Sequence, residues 1–153
     1  MFEIREDDLQ GEETHALLAL HLAGMRADSP PGHVHALDLS GLLTPDVTVW
    51  TAWKGRRVAA VGALKMLPDG TAEVKSMRTH PAFLRQGAAR AILETIIAAA
   101  SARGVRRLSL ETGSGPSFEP AVAMYRRYGF REGPAFSHYT AGGFSRFLHL
   151  DLV

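Results

Sequence analysis

Residues 80–93, "HPAFLRQGAARAIL", change character in their middle. The stretch begins as a turn around Pro81, crosses a basic hinge at Arg85, Gln86 and Gly87, and continues as alanine-rich helix. At such a junction the first helical N–H groups have no intrahelical acceptor, so they and the positive end of the helix dipole together attract an anion. Gly87 lacks a Cβ and permits close approach, Ala88 and Ala89 leave the first turn uncluttered, and Arg85 and Arg90 carry charge suited to phosphate oxygens. A pyrophosphate fits this chemistry, and so does a plain turn with solvated arginines. The Gly-Lys-Ser/Thr ending of a Walker A loop and the three spaced glycines of a dinucleotide fingerprint are both missing.

Working outward, the residues before the hinge read as a β-meander: "VTVWTAW" (47–53), a "KGRR" turn, "VAAVGALKML" (58–67), a "PDG" turn and "TAEVKSMRT" (71–79). The helix after the hinge presents Ala89, Leu93, Ile96 and Ala100 on one face, and Gly104 is placed to end it. "VRRLSLET" (105–112) follows as a strand. Ser117 is placed to cap a further helix, in which Ala121, Met124, Tyr125 and Tyr128 share a face and which Gly129 stops. "FREG" and "FSRFLHLDLV" (144–153) supply closing strands. At the other end, "FEIR" is a short strand and residues 11–28 an amphipathic helix with Leu18, Leu22 and Met25 at helical spacing. Between that helix and the meander lies an irregular segment with His33 and His35 and room for one helical turn. The order β-α-loop-βββ-α-β-α-ββ predicts an α/β protein of the α+β type: a mixed, mostly antiparallel central sheet of about six to seven strands flanked by helices on both faces.

The 153 residues, 46% hydrophobic, suit one domain spanning 1–153. Seventeen Lys and Arg against 16 Asp and Glu give a net charge of +1, so no broad attraction to nucleic acid or membrane is expected, and no basic recognition stripe appears. Cysteine is absent, which excludes disulfides, thiolate nucleophiles and cysteine-ligated zinc. The acidic start "MFEIREDDLQ" is unlike a signal peptide and no apolar run is long enough to span a bilayer, so a cytoplasmic protein is expected.

The stretch "MRTHPAFLRQGAARAILETII" (77–97) resembles motif A of the GNAT family of N-acetyltransferases, Arg/Gln-x-x-Gly-x-Gly/Ala, with Leu84, Gly87 and Ala89 at its defined positions. "AVAMYRRYGF" (121–130) resembles the family's helix-to-strand motif through Ala121, Met124, Tyr125, Gly129 and Phe130. The resemblance implies the GNAT fold and acetyl-coenzyme A (acetyl-CoA) as cosubstrate. Its pyrophosphate would rest on the backbone of Arg85, Gln86, Gly87, Ala88, Ala89 and Arg90, and its pantetheine beside Met77, Arg78 and Thr79. Two departures matter: Leu84 stands where the family prefers Arg or Gln, and Phe118 where many members carry a pantetheine-binding asparagine.

Acyl transfer to an amine needs a neutral nucleophile, a stabilised oxyanion and a proton for the departing thiolate. Spacing alone reads Tyr125 as a core tyrosine, and the resemblance instead makes it the residue near the sulfur. Glu111 and then Glu73 are the candidate bases, each of which also reads as an ordinary strand carboxylate. His33, His35 and Asp38 sit in the loop that in GNAT proteins commonly lines the acceptor pocket. Two histidines without further ligands are weak evidence for zinc, so no metal is expected. The expected activity is acetyl transfer from acetyl-CoA to the primary amine of a small metabolite by direct attack in a ternary complex. A protein N-terminus or lysine as acceptor, and a silent acyl-CoA sensor, stand as alternatives. The alternation in "FSRFLHLDLV" also leaves room for a homodimer through an added sheet edge.

Overall fold

The computed structural model describes residues 1–35 and 37–152. Seven strands form one sheet: β1 (Glu3–Glu6), β2 (Val47–Lys54), β3 (Arg57–Met66), β4 (Ala72–Thr79), β5 (Arg107–Thr112), β6 (Arg131–Glu132) and β7 (Arg146–Asp151). Their spatial order is β1-β2-β3-β4-β5-β7-β6, and every pairing is antiparallel except that of β4 with β5. The helices are α1 (Glu12–Asp28), α2 (Leu39–Leu42), α3 (Ala88–Ala102) and α4 (Glu119–Arg127). This is the expected sheet, and α2 is the single helical turn expected in the long loop.

The two faces are covered by different helices because successive strand residues point to opposite sides. Ile92, Leu93 and Ile96 of α3 pack with Trp50, Ala60, Leu64 and Val74 of the sheet, and Val122 and Tyr125 of α4 join the same core. Leu17 and Leu18 of α1 and Leu42 of α2 pack with Val49, Val58, Val61 and Ala63 on the opposite face. Gly62 sets the approach of α3: a Cβ there would lie 2.5 Å from both Ile92 Cγ2 and Met77 Sδ.

One irregularity shapes the centre of the sheet. Ser76 has φ 57°, and the β3–β4 register shifts between Val61 and Ala63, the signature of a bulge. On the other side of β4, pairing with β5 stops after two positions, Ala72 with Leu108 and Glu73 with Ser109, although both strands continue. The strands therefore part from there onward, and the gap faces the start of α3.

Three expectations need correction. Ser117 caps nothing: Pro116–Phe118 forms a 3-10 turn, and α4 begins at Glu119 with Phe118 in the cap position and no side-chain cap. The buried face of α4 is Val122 and Tyr125, while Ala121, Met124 and Tyr128 are half-buried. The strand expected over 144–153 is not a free edge, because it lies between β5 and β6; its last residue, Val153, is outside the described residues. Among those residues, no helix is long and apolar enough to cross a membrane.

Candidate active site

At the mouth of the gap, Arg85 (φ 62°) and Gly87 (φ 88°) turn the chain so that α3 starts with Gly87 at its cap position and no side chain capping it. The first helical bond is from the Ala91 N–H to the Gly87 carbonyl, so the preceding N–H groups of Ala88, Ala89 and Arg90 remain available. A left-handed φ suits glycine, and here it frees the turn of any side chain that would obstruct an anion. Leu84 is exposed beside this turn.

Behind the mouth lies a cavity of about 920 Å³. It brings together the sequence-proposed residues of β4 (Glu73, Met77, Arg78, Thr79), those of the α3 start (Arg85, Gln86, Gly87, Ala88, Ala89, Arg90), Glu111 of β5, Tyr125 of α4 and His35 of the long loop. Asp38 is not brought to it. It is exposed, and its carboxylate caps α2 by accepting hydrogen bonds from the Gly41 N–H (2.9 Å) and the Ser40 hydroxyl (2.8 Å). His33 is also absent from the wall: its ring meets Phe144 edge-on at 5.6 Å. Phe118 forms part of the wall and packs edge-on against the same Phe144.

The Tyr125 side chain is buried, and burial alone pushes its pKa upward, so the hydroxyl holds its proton at neutral pH. Glu111 also has a raised pKa. Burial is the main cause, and hydrogen bonding to Ser145 and the charge of Lys75 oppose it. Glu73 lies deeper, 2% exposed, and is bound to two groups: Lys75 Nζ at 3.1 Å, in a buried ion pair, and the Tyr139 hydroxyl, which donates to it. Lys75 Nζ also donates to the Tyr139 oxygen at 2.7 Å, closing a triangle of three buried side chains. The His35 ring stands edge-on to Tyr139, with centroids 5.1 Å apart, which ties the long loop to this triangle.

Lys75, Tyr139 and His21 are cavity residues that reading the sequence did not find. Lys75 had a signal. It lies two residues from Glu73, hence on the same face of a strand with neighbours on both sides, where opposite charges are paired when buried. Tyr139 had none, because the loop carrying it is 66 residues from Glu73. His21 is buried on α1 and accepts a hydrogen bond at Nδ1 from Arg78 Nε, 3.0 Å away. Burial, then the charges of Arg78 and Lys75, push its pKa down to about 4, so it is neutral near pH 7.

Comparison with known proteins agrees with this geometry. The chain is 45% identical to the uncharacterized N-acetyltransferase YedL of Escherichia coli over 152 residues, covering 99% of this chain and 96% of that protein. It is 46% identical to the uncharacterized N-acetyltransferase YsnE of Bacillus subtilis over 136 residues, covering 89% and 90%. A Bacillus subtilis acetyltransferase crystallised in complex with CoA superposes with a TM-score of 0.73 at 19% identity, over the full length of both chains. Residues 6–130 match the model of the acetyltransferase (GNAT) family. The mixed sheet that parts at its centre is that family's fold, and this chain belongs to it as a GNAT N-acetyltransferase.

Proposed function

We propose that the protein transfers the acetyl group of acetyl-CoA to the primary amine of a small metabolite by direct attack within a ternary complex. The observation that carries this reading is the parting of β4 and β5 over a cavity with an uncapped helix N-terminus at one end and a buried tyrosine and two carboxylates inside. The residues fit the coenzyme. The N–H groups of Ala88, Ala89 and Arg90 would receive the pyrophosphate, with Arg85 and Arg90 adding charge, and the backbone of Met77, Arg78 and Thr79 would pair with the pantetheine where β5 no longer does. The CoA-bound neighbour of the same fold supports that placement.

When bound, acetyl-CoA supplies the thioester whose C–S bond breaks as the C–N bond forms. Glu111 would take the proton the amine gives up, directly or through a water, and Tyr125 would donate a proton to the departing thiolate. Glu73 is the weaker candidate base, because Lys75 and Tyr139 both bind its Oε2. The raised pKa of Glu111 gives a sign to the pH dependence. The base must be ionised, so kcat/KM falls as pH drops through a value above the ordinary carboxylate range, and Glu111→Gln removes that limb.

A small acceptor suits the cover of the cavity, where the His35 ring stands edge-on to the Tyr139 corner of the triangle. The test is release of free thiol from acetyl-CoA against a panel of amines and peptides. Turnover confined to peptides would refute the metabolite reading. Tyr125→Phe should lower kcat by about 100-fold or more with coenzyme binding intact; unchanged turnover would remove Tyr125 from the proton path.

A further inference from the structure

The cationic side chains in the cavity wall differ in what neutralises them. Lys75 is matched by Glu73 at 3.1 Å and by the Tyr139 hydroxyl. Arg78, half-buried on the same strand, has no carboxylate within ion-pair distance among the described residues. Its guanidinium is held instead by a neutral imidazole: Nε donates to His21 Nδ1 at 3.0 Å, and Nη2 reaches the His21 carbonyl at 3.5 Å. Asp28 is near enough to favour the charge, while burial of Arg78 works against it.

The guanidinium is also aimed. Glu73 and Lys75 lie on the α1 side of β4, and the bulge at Ser76 brings Arg78 to that same side while Met77 packs towards α3. Gly24 of α1 makes room for it, since a Cβ there would lie 2.9 Å from Arg78 Nη2. Arg78 is therefore on the face opposite α3, away from the pyrophosphate cradle. An arginine has five N–H donors in a planar fork, and His21 engages one firmly and a second at the limit of bonding. The remaining donors match the two oxygens of a carboxylate. Tethering by an uncharged partner fixes the fork without cancelling its charge.

Resting on the acetyltransferase reading above, we propose that Arg78 is the subsite for a carboxylate of the acceptor, making the substrate an aminocarboxylic acid rather than a plain amine. Its carboxylate takes the Arg78 fork, and its amino group lies towards Glu111 and the thioester.

The test compares the common amino acids with their decarboxylated amines by free-thiol release. The expected result is a kcat/KM preference for the best acid over its own amine of about 30-fold or more, the scale of charge-assisted hydrogen bonds. Arg78→Gln should abolish that preference. Gly24→Ala should weaken it by displacing the guanidinium, with an unaltered melting temperature excluding a folding defect. Equal turnover of acid and amine, or a preference that survives Arg78→Gln, overturns the proposal. If no amine or peptide releases thiol, the acetyltransferase reading fails. Calorimetry of the same amino acids with the CoA-loaded protein then decides this one: binding lost in Arg78→Gln sustains it, and no binding overturns it.

Discussion

At the cavity mouth, six consecutive residues, 85–90, form the proposed anion cradle, and they shape it with backbone: two left-handed φ values and a helix start without a cap. At the inner wall, Glu73, Lys75 and Tyr139 meet through side chains, across separations of 64 and 66 residues. The difference shows in what each end tolerates. A backbone cradle survives most side-chain changes and fails when a substitution alters its dihedrals or fills its concavity. A buried charged triangle fails when any one member leaves, because the others stay desolvated.

The sharpest way to break this comparison is Lys75→Met, which strands Glu73 in the interior and should cost about 3–5 kcal/mol in chemical denaturation. The double variant Glu73→Gln/Lys75→Met should be clearly less damaging than Lys75→Met alone, and a cost under about 1 kcal/mol for Lys75→Met would mean the wall is not interlocked. The next effect belongs to His21. Its folded pKa of about 4 lies below its unfolded value near 6.5, so the stability it provides is present above 6.5 and is lost as pH falls towards 4. That slope, about 3 kcal/mol in full, should vanish in His21→Gln. At the mouth, Gly87→Glu should weaken CoA binding by about 100-fold in calorimetry, because it puts a carboxylate on a left-handed residue beside the anion site. Leu84→Ala should change that affinity by less than about twofold, since Leu84 is exposed and offers no polar contact. The reverse ranking at the mouth would show that side chains hold the coenzyme.

The mouth was legible because its determinants are local. A turn, a glycine and an alanine-rich helix lie within one stretch, and hydrogen-bonding rules suffice to read it. The meander and the long helices were legible for the same reason, through period and punctuation. The helix boundary at Ser117 was misread because Gly115 and Pro116 set a tight turn that moved the cap position to Phe118. The inner wall was only half legible. Glu73, Glu111 and His35 could be named from their types and strands, but what holds Glu73 comes from a loop near the other end of the chain. Asp38, proposed for the acceptor site, satisfies a local helix start instead, which is the ordinary fate of an aspartate three residues before a free N–H. The position of β7 inside the sheet was equally hidden, because nothing local says that the two-residue β6 crosses to its outer side.

The bulge at Ser76 gives β4 two reading frames. Upstream, the positions facing α1 are odd-numbered, 73 and 75; downstream they are even, at 78. A strand keeps its parity for its whole length unless a residue is added or removed. A regular strand of the same length would keep the odd frame, sending the arginine into the core beneath α3 and turning the methionine towards α1, whereas deleting the bulged residue would leave both where they are. Which residue faces α1 here is thus fixed by the bulge as well as by the composition of the strand. A frame shifts only in whole steps, so losing the bulge at constant length would exchange arginine for methionine on that wall at once, and the exchange could not come about by drift.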